Sequence, residues 1–168
     1  MLIRDARDDD FPAILAIYND VIATSTAVYR DEPAPLEERL DWWRSRVAAG
    51  YPVLVAEDAD GVAGYSSFGD FRAWPGYRFT VEHSVYVRAD RRGGGIGRAL
   101  VEPLLARAAV LGKHVVIAGV DAENTGSLRF HERLGFERVA HFQQVGFKFG
   151  RWLDLVFLQR MLTDADRR

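Results

Sequence analysis

The chain has 168 residues, 48% of them hydrophobic and 27% charged, which suits one domain whose folding buries roughly two-thirds of its surface. Lys and Arg number 22 against 24 Asp and Glu, so no basic excess favours a nucleic-acid partner. The absence of cysteine excludes disulfides, zinc–thiolate sites and a thiol nucleophile. Neither a signal peptide nor a run of about 20 apolar residues is seen, so a cytoplasmic location without membrane contact is expected.

Leu2 to Arg4 reads as a short strand. Asp8-Asp9-Asp10 offers a helix N-cap with Pro12 in the first turn, and Phe11, Ile14, Tyr18 and Val21 recur at helical spacing. After a loop over 24–35, Leu36, Leu40, Trp43 and Val47 mark a second helix closed by Gly50. The period then changes. Val53–Glu57 and Val62–Phe68 flank Asp58-Ala59-Asp60-Gly61 as a hairpin, and Phe71–Tyr77 is an aromatic loop. Thr80–Val87 alternates, with Val81, His83, Val85 and Val87 on one face and Glu82, Ser84 and Tyr86 on the other. A glycine cluster leads into a helix carrying Leu100, Leu104 and Ala108. Val115–Val120 is a strand and Thr125–Leu134 a short helix, and two strands lie in Phe136–Phe142 and Trp152–Met161. The order β-α-α-β-β-β-α-β-α-β-β predicts a single mixed α/β domain over residues 1–168.

Arg91-Arg92-Gly93-Gly94-Gly95-Ile96-Gly97-Arg98 is the most informative segment, because it lies between a strand and a helix. Glycines let a backbone turn tightly and approach a ligand closely. Free amides at a helix start form an anion nest, aided by the helix dipole, and the flanking arginines add positive charge. A pyrophosphate is the natural ligand. The Lys-Ser/Thr end of a P-loop is missing, and the G-x-G-x-x-G fingerprint fails at Leu100.

Arg92-x-x-Gly95-x-Gly97 resembles the acyl-CoA pyrophosphate loop of the GNAT superfamily of N-acetyltransferases. Asn124-Thr125-Gly126-Ser127-Leu128-Arg129-Phe130-His131-Glu132-Arg133-Leu134-Gly135-Phe136 is similar to a second signature of that family, with His131 where a tyrosine often stands. Thr80–Val87 and Gly146–Asp154 resemble the phosphinothricin acetyltransferase branch, which includes enzymes acting on methionine sulfone and methionine sulfoximine. The likeness runs from about Ile3 to Met161. It implies a GNAT-like fold, with a central, mostly antiparallel, twisted mixed sheet flanked by helices. It also implies acetyl-CoA as cosubstrate without a metal, direct acyl transfer to the α-amine of a small molecule, and a homodimer.

The site residues follow. An amine attacks a thioester only when neutral, and an α-amino group has a pKa near 8, so a base is needed. Glu82 matches the glutamate proposed as that base in the branch. His131, at the tyrosine position, is either the acid that protonates the leaving thiolate or a structural histidine. His83 reads as packed or hydrogen-bonded. Arg92, Gly93, Gly94, Gly95, Ile96, Gly97 and Arg98 are assigned to the pyrophosphate, and Val85, Tyr86, Val87, Asn124 and Ser127 to the rest of the cofactor. Arg72 offers a planar fork to a substrate carboxylate or side-chain oxyanion. Tyr29, Phe71, Trp74 and Tyr77 are candidate walls of the acceptor pocket. Lys148 and Arg151 are either surface charges or substrate contacts. Trp152, Leu153 and Phe157 are candidate partner contacts. Two other functions share these motifs: acetylation of a protein N-terminus or lysine, and non-catalytic sensing of acyl-CoA.

Overall fold

The computed structural model describes residues 1–167. In chain order it comprises β1 (Leu2–Asp5), α1 (Phe11–Thr24), α2 (Leu36–Ala48), β2 (Val53–Asp58), β3 (Gly61–Asp70), β4 (Thr80–Val87), α3 (Ile96–Val110), β5 (Val115–Asp121), α4 (Thr125–Arg133), β6 (Glu137–Lys148) and β7 (Arg151–Met161). The seven strands form one sheet in the order β1-β2-β3-β4-β5-β7-β6. Every neighbouring pair is antiparallel except β4 and β5, which run parallel.

Alternation along the strands divides the sheet's two faces. Leu54, Ala56, Phe68 and Val81 pack under Leu100, Val101, Leu104 and Ala108 of α3. On the opposite face Val55 and Tyr65 meet Phe11, Ile14 and Ile17 of α1, with Trp42 and Trp43 of α2 packed alongside. Full burial of side chains of this size contributes roughly 1.5–3 kcal/mol each, so both helix layers are fastened to the sheet. Gly64 allows the close approach on the α3 side: a Cβ there would lie 2.8 Å from the Tyr86 carbonyl oxygen and 3.2 Å from Leu100.

Three expectations need correction. Asp10 occupies the N-cap position of α1, but its side chain makes no capping bond. Its carboxylate instead takes Arg4 Nη1 at 2.7 Å, Arg4 Nη2 at 2.8 Å and the Arg7 amide at 2.7 Å, and the Arg4 guanidinium holds its pKa below the usual carboxylate range. The first closing strand continues to Lys148 rather than ending at Phe142, because its register shifts between Phe142 and Gly146 and pairing with β7 then resumes. Such a bulge hides the continuation from a simple alternation pattern. Lys148 is neither a surface charge nor placed at the sheet's open cleft. It is 1% exposed, and its ammonium is bound by backbone carbonyls.

Candidate active site

The parallel pair is short. Thr80, Val81 and Glu82 of β4 face Val115, Val116 and Ile117 of β5, and the pairing stops there. Each strand keeps its outer neighbour: β4 stays with β3 as far as Val87, and β5 stays with β7 as far as Asp121. The sheet is therefore forked from Glu82 onward. The cleft in the fork is lined by His83, Ser84, Val85 and Tyr86 from β4, by Ala118, Gly119, Val120 and Asp121 from β5, and by Ala27, Asn124, Ser127 and His131. Inward-facing peptide groups of the two strands have no cross-strand partner here, and buried or ligand-facing backbone groups of that kind require one.

Glu82 stands at the root of the fork, on the face that carries Tyr65 and Tyr86 and is covered by α1 and α2. Its Oε1 lies 3.1 Å from the point a Gly119 Cβ would take, so the glycine makes room for the carboxylate. Burial raises the Glu82 pKa above the ordinary glutamate value. A half-buried carboxylate pushed upward is a stronger proton acceptor than a solvated one, which suits a general base.

His83 and His131 lie on the other face of the sheet. Their rings meet Nε2 to Nε2 at 3.0 Å, and His131 Nδ1 lies 2.8 Å from the Ser127 carbonyl oxygen. A carbonyl only accepts, so His131 carries its proton on Nδ1 and His83 donates from Nε2. Both nitrogens of His131 are therefore engaged, and the ring is 4% exposed. Burial holds His83 down to about 3 and lowers His131 as well. This geometry describes a neutral pair rather than a standing imidazolium.

The glycine loop has the form of a nest. Gly93 and Gly95 take φ of +82° and +81°, and Gly95 is the N-cap of α3. Nothing lies within 4 Å of a Cβ built on either. Among the described residues, the first loop-to-helix backbone bond is Ala99 N–H to Gly95 O at 3.0 Å, so the amides of the first turn stay available. Gly97 serves a different need, since a Cβ there would lie 3.2 Å from the Phe130 ring. Arg92 donates to the Val87 carbonyl at 3.2 Å, and Arg98 pairs with Glu102 at 2.6 Å. Asn124 caps α4, accepting the Ser127 amide at 3.1 Å.

The residues expected on the substrate side are less uniform. Phe71 packs edge-on to Tyr77 at 6.0 Å and to Phe157 at 5.9 Å. The exposed Arg72 guanidinium lies 5.4 Å from the Phe71 ring and 6.0 Å from the Tyr77 ring. Tyr29 donates its hydroxyl to the Asp154 carbonyl at 2.9 Å, and burial with nearby Asp121 raises its pKa to about 12. Trp74 projects into solvent and is 76% exposed. Of Trp152, Leu153 and Phe157, only Trp152 is exposed; Leu153 is in the core and Phe157 packs on Phe71 and Phe142. Arg151 is a half-exposed cation paired with Glu123.

Sequence reasoning missed Gly119, Asp121 and Ala27. A lone glycine inside an apolar strand signals close approach, so Gly119 was legible in principle. Asp121 is 3% exposed and accepts the Thr26 hydroxyl and the Glu123 amide. Its Thr26 partner lies 95 residues away in sequence and left no local signal. Among the described residues no group of three or more His, Cys, Asp or Glu is placed to hold a metal, and no helix is long and apolar enough to cross a membrane.

The acetyltransferase (GNAT) family model matches residues 14–136. The chain belongs to the GNAT acetyltransferase family. An L-methionine sulfoximine/L-methionine sulfone acetyltransferase of Pseudomonas aeruginosa is 51% identical over 158 residues, 94% of this chain and 92% of that protein. The Salmonella typhimurium acetyltransferase yncA, solved with acetyl-CoA, superposes with a TM-score of 0.94 at 46% identity, covering 97% of this chain and 94% of that one. A ribosomal-protein-alanine N-acetyltransferase from Brucella melitensis has a TM-score of 0.95 at 47% identity, covering 96% of this chain and 100% of that one. The protein is thus an N-acetyltransferase with the mixed α/β fold of its GNAT relatives.

The neutral histidine pair has a consequence for stability. Unfolded histidine titrates near pH 6.5, whereas His83 in the fold does so at about 3. Below about pH 6.5 the unfolded chain binds more protons, so stability falls as pH drops through that window. Urea midpoints at pH 7.5 and pH 5 are expected to differ more in the wild-type protein than in His83→Leu. Equal acid-side losses in the two proteins contradict the neutral pairing.

Proposed function

We propose that this N-acetyltransferase moves the acetyl group of acetyl-CoA onto the α-amine of a small amino-acid-like acceptor of the methionine sulfone, methionine sulfoximine or phosphinothricin type. The single observation that carries the mechanism is the Glu82 carboxylate, raised in pKa by burial and seated against Gly119 where β4 and β5 part. The amides of Gly93 to Gly97 would hold the pyrophosphate, with Arg92 and Arg98 adding charge. Val85, Tyr86 and Val87, with Asn124 and Ser127, would line the pantetheine arm in the fork.

In this reading the acceptor enters from the α1/α2 side and transfer is direct, within a ternary complex. Its ammonium loses a proton to Glu82, directly or through one water. The free amine nitrogen then bonds to the thioester carbon, gives up its second proton to water, and the carbon–sulfur bond breaks. A thiol has a pKa of about 8–9, so the departing thiolate is a tolerable leaving group and takes a proton from solvent. His131 forms a wall of the fork, braced by His83. Arg72, between Phe71 and Tyr77, meets the acceptor's oxygen-bearing side chain at the rim, and Tyr29 closes the far side. The whole chain acts as one domain, in the cytoplasm where acetyl-CoA is at hand.

A second reading, acetylation of a protein N-terminus, is favoured by the name of the Brucella relative. Thiol release from acetyl-CoA with each acceptor class separates the two. Methionine sulfone and methionine sulfoximine are expected to outperform N-terminal and lysine peptides, and the reverse order installs the second reading.

Glu82→Gln is expected to lower turnover by roughly 10²-fold or more at pH 7. The deficit should shrink as pH rises, because the amine then deprotonates unaided. In the wild-type enzyme, activity should fall as pH drops through a Glu82 pKa above the usual carboxylate range. Wild-type turnover in the variant removes the base assignment.

Gly95→Asp puts a negative charge into the nest at a backbone φ of +81°. A severe loss of acetyl-CoA affinity in the folded variant is expected by equilibrium titration, and an unchanged affinity contradicts the pyrophosphate site.

We also propose a homodimer. Phe142, Val145, Phe147, Phe149 and Trp152 are each more than 40% exposed on the β6–β7 hairpin, with β6 at the sheet's edge. Exposed apolar side chains gathered on an edge hairpin offer an association site. Light scattering is expected to give twice the chain mass of 18.9 kDa, and the mass of one chain at micromolar concentration contradicts the dimer.

A further inference from the structure

The tip of the β6–β7 hairpin alternates sharply. Phe147 is 53% exposed, Lys148 1% and Phe149 57%. Phe149 and Gly150 take φ of +52° and +74°, forming a tight two-residue turn that sends Lys148 inward. Its Nζ donates to the carbonyl oxygens of Ile22 at 2.6 Å, Ser25 at 2.8 Å and Val28 at 2.8 Å. An ammonium has three N–H donors and no acceptor, so these three carbonyls saturate it. Ile22 lies in the last turn of α1, where carbonyls lack intrahelical partners and the helix dipole is negative. Among the described residues no carboxylate lies within ion-pair distance of Lys148; the three carbonyls, the Phe149 ring 4.9 Å from Nζ and the more distant Asp31 act together on the charge.

The segment held this way, Ser25 to Tyr29, is a strap across the acceptor side of the fork. Thr26 donates its hydroxyl to Asp121 at the end of β5. Ala27 lines the cleft. The Tyr29 ring lies on Gly146, where any Cβ would strike it, and its hydroxyl reaches the Asp154 carbonyl. Thr26 ties the strap to β5 and Tyr29 ties one end of it to the β6–β7 hairpin, while Lys148 holds the Ser25 and Val28 carbonyls to the hairpin tip together.

We infer that Lys148 is a positioning residue for the acceptor: its buried ammonium seats the Ser25–Tyr29 strap and so fixes the wall against which the amino-acid substrate binds. This rests on the proposed acceptor side of the fork. The pyrophosphate nest, on the far side of β4, contains nothing that Lys148 touches.

The test is a graded series, Lys148→Gln and Lys148→Met, assayed with acetyl-CoA and methionine sulfone and followed by hydrogen exchange of the strap. Loss of charge-assisted hydrogen bonds should raise the acceptor KM about tenfold or more in Lys148→Met. Lys148→Gln, with two donors left, should show a smaller rise. The KM for acetyl-CoA should hold, and the amides of Thr26 to Tyr29 should exchange faster. A purely structural lysine lowers the melting temperature and the active fraction but leaves the acceptor KM unchanged, and that result overturns the inference. If Lys148→Met does not fold, Lys148→Gln decides by the same readouts. If the wild-type enzyme acetylates no amino acid, the acceptor reading fails on its own. Strap exchange then decides the anchoring alone: faster exchange in Lys148→Gln sustains it, and unchanged exchange refutes it.

Discussion

The parting of β4 from β5 after three residue pairs is the constraint on which the rest depends. Two parallel strands that separated in an ordinary sheet would expose a row of unpaired peptide groups. Here each stays paired on its outer side, β4 to β3 and β5 to β7, while the inner edges lack a strand partner. Those edges turn backbone donors and acceptors toward the cleft, the pattern a chain-like ligand could pair with. At the top of the fork the chain turns through Gly93 and Gly95 into α3, which places a positive helix end beside the opening.

The two faces of the fork have different electrostatic characters, and strand alternation is the cause. Adjacent residues of β4 point opposite ways, so Glu82 faces the α1/α2 side and His83 the α3/α4 side. Burial acts on each in its own direction, raising the carboxylate and lowering the imidazole, since both shifts disfavour charge. On one side a half-buried group accepts protons more readily. On the other, a pair of rings stays neutral and packs against Phe130 and Phe136. The raised carboxylate and the neutral histidine pair are thus separated by the thickness of one strand.

Much of this was legible in the sequence because it is encoded locally. The limits of β4 and the alternation of Glu82 and His83 follow from period two, and the loop before α3 follows from its glycines. What stayed hidden depends on long-range pairing. The bulge in β6 masks a strand that continues to Lys148, so a buried lysine read as a surface or substrate charge. The His83–His131 pair joins residues 48 apart in sequence, and Thr26–Asp121 joins residues 95 apart. Neither spacing has a local signature. Trp74 shows the converse: an aromatic in a glycine-rich loop reads as a buried or pocket-lining side chain, yet it stands 76% exposed among the described residues.

The central claim is that acyl transfer takes place in the fork with the acceptor amine on the Glu82 face. A crystal structure with CoA and methionine sulfone bound tests it most directly. The account predicts the pyrophosphate on the amides of Gly93 to Gly97, the pantetheine arm between β4 and β5, and the amine within one water of the Glu82 carboxylate. An amine lying instead on the α3/α4 face, beside His131, would contradict it.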